Sequence, residues 1–367
     1  MSLKLPVREL RRRPNRFVVA TAVLSFLATL LLFLGGLLDG LYLGSTGALR
    51  AQQGDAIVFS SDARESFLRS RIDPELRATI EGADGVTEVG GLGLSLLGAE
   101  VPGEDEPADV AVAGYEIAPS GVPDVSTLAP GEGTADRRLE DQGVEVGDTI
   151  LVGPAQSPIT IVGWVDDTSY LQQGTVWVTL DTWRAVQNAN RPDSAVGDGV
   201  VQVLVVRGGG DLTSVIDAAT GAATKSLTID DAVLALPGVA QQNSTFNAII
   251  YSTLTVVLAV VALFFSLLTL ERLGLYGVLK AIGASSGRLF AGVVLQAVVV
   301  SVIAFVVGSV LALLAALSLP AEVPLQLTPG RFVFTFVALV VASVLGSAIS
   351  LRKVLRVDPA SAIGTAS

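Results

Sequence analysis

The chain has 367 residues, half of them hydrophobic, and its mean hydropathy is positive, which indicates a membrane protein. Histidine and cysteine are absent, which excludes disulfides, cysteine zinc sites and catalysis by a histidine base or a cysteine nucleophile. The net charge of −11 is unevenly distributed, because residues 43–245 carry 30 acidic and 11 basic side chains. The chain therefore combines one acidic, soluble part with a basic, membranous part.

The first 16 residues are basic, with six Lys or Arg side chains against one Glu, and a predicted transmembrane helix follows at residues 17–42. Its apolar core, Phe17–Leu38, has 22 residues; a helix of this length is about 33 Å long, enough to cross a bilayer. The basic flank predicts a cytoplasmic N-terminus. A cleaved signal peptide has a similar pattern, but the long apolar run and the three later spans favour a membrane anchor.

Residues 43–245 are predicted to form an extracytoplasmic α+β domain, because hydropathy falls there and short β-like runs alternate with Gly, Asp, Pro and Ser. Asp73 followed by Pro74 predicts the start of a helix that ends near Gly82. Alternating β-branched residues predict a small antiparallel sheet or barrel. One strand is expected to begin at 85–89, further strands are expected at 143–152, 159–165, 175–178 and 200–206, and short helices at 213–223 and 229–236.

Three further transmembrane helices are predicted at residues 246–270, 289–319 and 332–351. Basic residues occur at 271–288 and in the tail, 352–367, but not in the 320–330 connection. The positive-inside rule therefore places both termini and the 271–288 segment in the cytoplasm, and the large domain and the 320–331 loop outside. The predicted fold class is a membrane protein, an α-helical four-span permease with one α+β extracytoplasmic domain between its first and second spans.

No nucleotide site is predicted. Residues 221–226 superficially resemble a phosphate-binding loop, but the glycine before Lys225 is missing and the spacing is wrong. Without histidine, cysteine or a convincing catalytic constellation, the chain is predicted to be a non-catalytic subunit.

The order of one span, a large domain and three spans resembles the FtsX/MacB class of ABC transporter permeases. Motifs similar to that class are GVLKAIGAS at 277–285, the ending at 357–363 and the glycine-aspartate strand unit at 143–164. Within the class, shorter motifs are similar to the HrtB family of haem-export permeases; they lie at 146–148, 167–170, 277–283 and 345–364.

The resemblance implies a permease subunit of a MacB-type ABC exporter in the bacterial cytoplasmic membrane, extruding haem to detoxify it. It implies a homodimer in contact with membrane lipid, with two copies of a separate HrtA-like ATPase that binds ATP-Mg. No intrinsic cofactor and no nucleic acid partner are expected. Two alternatives stay open: export of a lipid, peptide or antibiotic, and FtsX-like transmission of ATP-driven motion to an extracellular cell-wall hydrolase.

The 271–288 segment is expected to couple the permease to the ATPase, because an apolar helix face can dock into a groove with polar contacts at its rim. An ordinary polar connection between two spans is the alternative. The coupling residues expected are Gly277, Val278, Leu279, Lys280, Ile282, Gly283 and Arg288.

Haem needs an iron ligand, and with no histidine or cysteine and methionine only at position 1, the ligand would be a tyrosine or a carboxylate. Tyr170 is the first candidate because it lies in the HrtB-like motif, although a tyrosine packing a loop onto the sheet would look the same. No other metal site is expected. The substrate-binding candidates are Tyr170, Tyr42, Asp39, Tyr251 and Glu322.

Gly35 and Gly36 on the first span are expected to allow close helix packing or a local bend. Asp39, at the outer end of the same span, would border a lateral opening between the first and second helices of the dimer. Solvation at the membrane interface is the alternative for Asp39.

Overall fold

A computed structural model describes residues 14–270, 286–320 and 323–354. The expected coupling residues Gly277 to Gly283, the candidate Glu322 and the motif at 357–363 lie outside the described residues. The chain divides into two compact units, one formed by residues 1–40 and 243–367 and the other by residues 41–242. Each unit is described here by itself.

Eight α-helices and nine strands make up the described part of the chain. The helices are α1 (Pro14–Arg50), α2 (Pro74–Glu81), α3 (Leu180–Asn190), α4 (Leu212–Ala219), α5 (Ile229–Ala235), α6 (Val239–Leu270), α7 (Ser286–Leu317) and α8 (Pro329–Val354). The strands are β1 (Ala56–Ser60), β2 (Val86–Glu100), β3 (Ala108–Tyr115), β4 (Glu132–Asp136), β5 (Thr149–Val152), β6 (Ser157–Val165), β7 (Gly174–Thr179), β8 (Val203–Gly208) and β9 (Thr224–Leu227).

Four of the described helices, α1, α6, α7 and α8, are long and apolar enough to cross a membrane. The α+β domain lies between the first and second of them in the chain, which confirms the predicted fold class. Small residues allow close helix packing in the membrane unit, as is usual for membrane bundles. A Cβ atom at Gly308 of α7 would lie 2.8 Å from both the Ala28 Cβ and the Ser25 carbonyl oxygen of α1. Between α7 and α8, the hydroxyls of Ser301 and Ser343 are hydrogen-bonded at 2.5 Å.

The strands of the second unit form one sheet in the order β3-β7-β4-β6-β5-β2-β8-β1-β9. Because β2 also pairs with β3, the six strands from β3 to β2 close into a ring, and β8, β1 and β9 extend from it. The expected barrel is therefore present, but the expectation of a small antiparallel sheet was wrong. The sheet has nine strands and is mixed, because β3–β7 and β4–β6 are parallel pairs. Residue alternation reveals which face of a strand is buried but not the direction of its neighbour.

Several local predictions are confirmed. The Asp73 carboxylate caps α2 by accepting from the Leu76 amide at 2.8 Å, and strands occur where β6 and β7 were expected. The strand expected to begin at 85–89 is also present, since β2 starts at Val86 and runs for 15 residues to Glu100. Its glycines obscure the strand pattern, but Gly93 leaves room for the indole of Trp183, which would overlap any Cβ there.

The helix α1 continues to Arg50, beyond the apolar run, and its last ten residues belong to the α+β unit. This continuation brings Tyr42, Gly44 and Gly47 into the domain that follows.

Candidate functional site

The HrtB-like motif at 167–170 begins a loop, residues 167–173, that holds the end of α1. We call this loop and residues 41–50 the helix clamp. Three of the hydrogen bonds between the loop and the helix join backbone groups, and the side chains of Gln172 and Arg50 supply others. The backbone bonds are Ala48 N to Ser169 O at 3.0 Å, Leu171 N to Ser45 O at 3.1 Å and Gln172 N to Gly44 O at 2.9 Å. Gln172 Nε2 donates to Leu41 O at 2.8 Å and to the Ser45 hydroxyl at 2.9 Å.

Glycine makes this close approach possible on the helix side. A Cβ atom at Gly47 would lie 2.7 Å from the Asp167 carbonyl oxygen and 2.8 Å from the Ser169 nitrogen, closer than real Cβ contacts. On the loop side, Asp167, Leu171 and Gln172 have left-handed backbone conformations, with φ of 57°, 48° and 69°. Such conformations are costly for residues other than glycine and occur often at functional sites.

The buried carboxylate of Asp136, at the end of β4, holds the loop in place through hydrogen bonds. It accepts hydrogen bonds from the Thr168 amide and hydroxyl, both at 2.7 Å, from the Ser169 hydroxyl at 3.1 Å and from the Arg138 amide at 3.0 Å. Sequence reasoning missed Asp136, because an acidic residue ending a short strand looks like an ordinary turn residue.

An ion pair closes the clamp at its solvent side. The Arg50 guanidinium donates to both Asp167 carboxylate oxygens, at 2.7 and 3.2 Å. The same guanidinium carbon lies 5.8 Å from the centre of the Tyr42 ring, a cation–π distance. Tyr42, a substrate-binding candidate, is partly buried. Its side chain packs against the apolar cluster of the domain and contacts Arg50 of the helix clamp.

Tyr170 belongs to that same apolar cluster and is only 5 % exposed. Its ring meets Phe67 edge-on, with ring centres 5.9 Å apart, and burial raises the pKa of its phenol. A cavity of about 50 Å³ lies beside it, lined mainly by apolar side chains. Pockets for small organic ligands usually measure about 300 Å³ or more. Haem ligation by Tyr170 stays a prediction, and it would require this region to open.

In the membrane unit, Asp39 of α1 forms an ion pair with Arg331 at the start of α8. Arg331 donates to both carboxylate oxygens of Asp39, from Nη2 and, at 3.1 Å, from Nε; the Thr328 hydroxyl donates to Asp39 at 2.9 Å. The side chains of Arg331 and Asp39 are 14 % and 20 % exposed. Among the side chains that the structure describes in this unit, these two alone are charged.

Residues 324–331, the segment that carries Arg331, pack closely against three glycines of α1. A Cβ at Gly35 would overlap the Arg331 side chain, one at Gly36 would lie 2.8 Å from Leu327, and one at Gly40 would overlap the Pro324 carbonyl. The Gln326 amide donates to the Gly36 carbonyl at 3.0 Å. The expected close packing at Gly35 and Gly36 is therefore present, and its partner is residues 324–331.

Sequence reasoning did not select Arg331, because a basic residue at the edge of a span looks like a topology signal. The sequence did offer one signal for this pair: Asp39 is an acid and Arg331 a base in spans that otherwise lack charged residues. Of the remaining candidates, Tyr251 lies on α6 and is 64 % exposed. Arg288 lies in the first turn of α7, where the structure describes its backbone but not its side chain.

Comparison with known proteins gives three kinds of match. Residues 247–359 match the family model "FtsX-like permease C-terminal". A hemin transport system permease protein, HrtB, of Staphylococcus epidermidis is 21% identical over 229 residues, which is 62% of each chain. An ABC transporter permease of Mycobacterium tuberculosis is 26% identical over 362 residues, which is 98% of each chain. The periplasmic region of MacB from Actinobacillus actinomycetemcomitans is 14% identical, with a TM-score of 0.34, over 49% of this chain and 90% of that one.

This chain thus spans about three fifths of the staphylococcal relative's length and nearly all of the mycobacterial one. The family match covers the last three membrane helices, which follow the α+β domain in the order that the motifs predict. Residues 247–359 thus form an FtsX-like permease domain, and the chain is similar over nearly its whole length to an ABC transporter permease.

Proposed function

We propose that this chain is the permease subunit of an ABC exporter that extrudes haem from the bacterial cytoplasmic membrane and so protects the cell from haem. Two copies of the chain would assemble with two copies of a separate HrtA-like ATPase in the cytoplasm, and both termini would face that ATPase. The relative named as a hemin transport permease supports haem as the cargo.

The observation that carries the exporter mechanism is the helix clamp. The loop at 167–173 holds the end of α1 through backbone hydrogen bonds, the buried Asp136 and the ion pair of Arg50 with Asp167. A helix held in this way moves with the domain that holds it, because breaking the contacts would leave buried polar groups unpaired. We propose that ATP-driven movement at the 271–288 segment reaches the α+β domain through α1.

The cargo would bind in or beside the membrane helices. The cavity beside Tyr170 is too small for a porphyrin, whereas Asp39 lies on a membrane span and Tyr251 exposes its ring on another. Tyr170 and Tyr42 would contribute an iron ligand only if the clamp region opens during the cycle. Glu322 keeps its place among the candidates because it belongs to the same connection as Arg331.

The helix clamp also favours a second candidate function, FtsX-like transmission of motion to an extracellular cell-wall hydrolase. This function needs a rigid link between helix and domain but no cargo site. Residues 43–245 carry a net charge of −19, which suits a basic partner surface. Export of a lipid, peptide or antibiotic would use the same link.

Absorption spectroscopy of the purified chain with its ATPase tests the cargo. Titration with haemin should give a saturable shift of the Soret band, with a simple ratio of haem to chain or to dimer. Cells expressing both proteins should survive haemin concentrations that kill cells lacking them. A linear, non-saturating titration together with unchanged haemin sensitivity would reject haem export and favour the transmission function.

A further inference from the structure

We infer that Arg331 binds a carboxylate group of the transported molecule and that Asp39 occupies Arg331 when no cargo is bound. The ligand class is an apolar molecule bearing a carboxylate. This inference rests on the proposed function as an exporter of apolar cargo, and it assigns a binding residue for that cargo.

An ion pair is costly to keep in a membrane span. Charged side chains in membrane spans are expensive, and those that persist generally serve substrate binding, proton transfer or voltage sensing. Replacing a buried ion pair by apolar residues is often neutral or even stabilising, so packing alone does not explain why a span keeps one. Here the described side chains of the unit include a single acid and a single base, and both belong to this pair.

The contact between the two side chains has the shape of a carboxylate-binding site. Arg331 uses Nε and Nη2 to hold both oxygens of the Asp39 carboxylate. This planar fork fits any carboxylate equally well, so a cargo carboxylate can replace that of Asp39 without rearranging the guanidinium. The Phe334 ring lies 5.7 Å from the guanidinium carbon and supports the group independently of Asp39.

The ion pair is also accessible from outside the helix bundle's core. Both partners are partly exposed, 14 % for Arg331 and 20 % for Asp39, so neither is sealed in the core. The glycines at 35 and 36 give the Arg331 side chain and its segment room beside α1. Arg331 also lies in the first turn of α8, where the helix dipole favours a bound anion.

Binding measurements on the full chain in lipid nanodiscs, with its ATPase, test the inference. The probes are haemin, haemin dimethyl ester, which lacks free carboxylates, and palmitate, which has a carboxylate but no porphyrin. Arg331→Gln should weaken haemin and palmitate binding by about tenfold or more, corresponding to the loss of one charge-assisted contact. Asp39→Asn should strengthen both, because the internal competitor is weakened, and ester binding should change little in either variant. Ser252→Ala is the control on another span, because that exposed hydroxyl donates to the Ala248 carbonyl within its own helix.

A charge swap distinguishes cargo binding by Arg331 from a purely structural role of the ion pair. Asp39→Arg combined with Arg331→Asp keeps an ion pair but moves the cation to α1. If Arg331 binds cargo, the swapped protein stays defective in binding; full recovery of haemin and palmitate binding would overturn the inference. If Arg331→Gln does not assemble with the ATPase, Arg331→Lys keeps the charge without the fork and should still weaken both carboxylate probes.

The outcomes distinguish this inference from the proposed cargo. Haemin binding that is independent of Arg331 would overturn the inference and leave haem export standing. Palmitate binding that depends on Arg331, without any haemin binding, would support the inference and reject haem as cargo. Absence of binding by both carboxylate probes would overturn the two together.

Discussion

The Asp136 carboxylate accepts two hydrogen bonds from Thr168, one from the backbone amide and one from the hydroxyl, each at 2.7 Å. Asp136 ends a strand of the β ring, and Thr168 lies in the loop that holds α1. This single side chain therefore connects the sheet to the helix clamp, and its loss should loosen both.

Replacement of Asp136 by Ala should lower the free energy of unfolding of the α+β domain by roughly 2–4 kcal/mol, because several donors lose a charged acceptor in a buried position. Tryptophan fluorescence of the full chain measures this directly, since Trp164, Trp177 and Trp183 all lie in this domain. Asp181→Asn is the control, because that side chain is 94 % exposed; its effect should stay within about 0.5 kcal/mol. Equal effects of the two variants would contradict a central role for Asp136.

Gly47→Ala should release the loop from α1, because the added Cβ would approach the backbone of Asp167 and Ser169 too closely. We expect reduced transport together with increased protease cleavage in the 167–173 loop. The control is Gly292→Ala, since a Cβ at that helical glycine meets no atom within 4 Å. Wild-type transport by the Gly47→Ala protein would show that the clamp does not transmit movement.

Ile282→Asp should abolish stimulation of the partner ATPase, because a charge would enter the apolar face expected to dock on it. Copurification of the two proteins and ATP turnover are the measurements, and Ile282→Val is the matched control. Unchanged copurification and turnover would refute the coupling assignment of the 271–288 segment.

Tyr170→Phe and Tyr42→Phe should each remove part of the absorption of bound haem if these tyrosines ligate the iron. Phenylalanine keeps the ring and removes only the hydroxyl, so the fold should be preserved. Titration with haemin at constant pH measures the change, and Ser252→Ala, an exposed position on α6, is the control. Unaltered spectra in the first two variants would move the search to Asp39 and Glu322.

Alkaline pH should destabilise the α+β domain. Burial raises the pKa of Tyr115 to about 12 and raises that of Tyr170 as well. Above about pH 10 these tyrosines ionise in the unfolded chain while they stay protonated in the folded one, so the unfolded state binds fewer protons and stability falls as pH rises. Unfolding followed by fluorescence between about pH 8 and pH 11 brackets the ordinary tyrosine pKa. Over this range the free energy of unfolding should fall less steeply for Tyr170→Phe than for the wild type. An identical decline in wild type and variant would contradict burial of the phenol.

The sequence by itself determined the class of the protein and the order of its parts. Apolar runs long enough to span a bilayer, separated by one polar stretch, do not depend on tertiary contacts to be recognised. Local signals such as Asp73 before Pro74 were equally readable, because a helix cap involves only neighbouring residues. The motifs at 277–285 and 143–164 then indicated the permease class.

Only the tertiary structure decided how distant residues meet. The parallel pairs β3–β7 and β4–β6, the contact of Asp136 with Thr168 and the pairing of Asp39 with Arg331 join residues about 30 to 290 positions apart. Such contacts depend on chain topology, and residue type alone carries no record of the partner. For this reason Asp39 was recognised from the sequence as a charge at the end of a span, while Arg331, which gives that charge its function in our proposal, became apparent only in the folded chain.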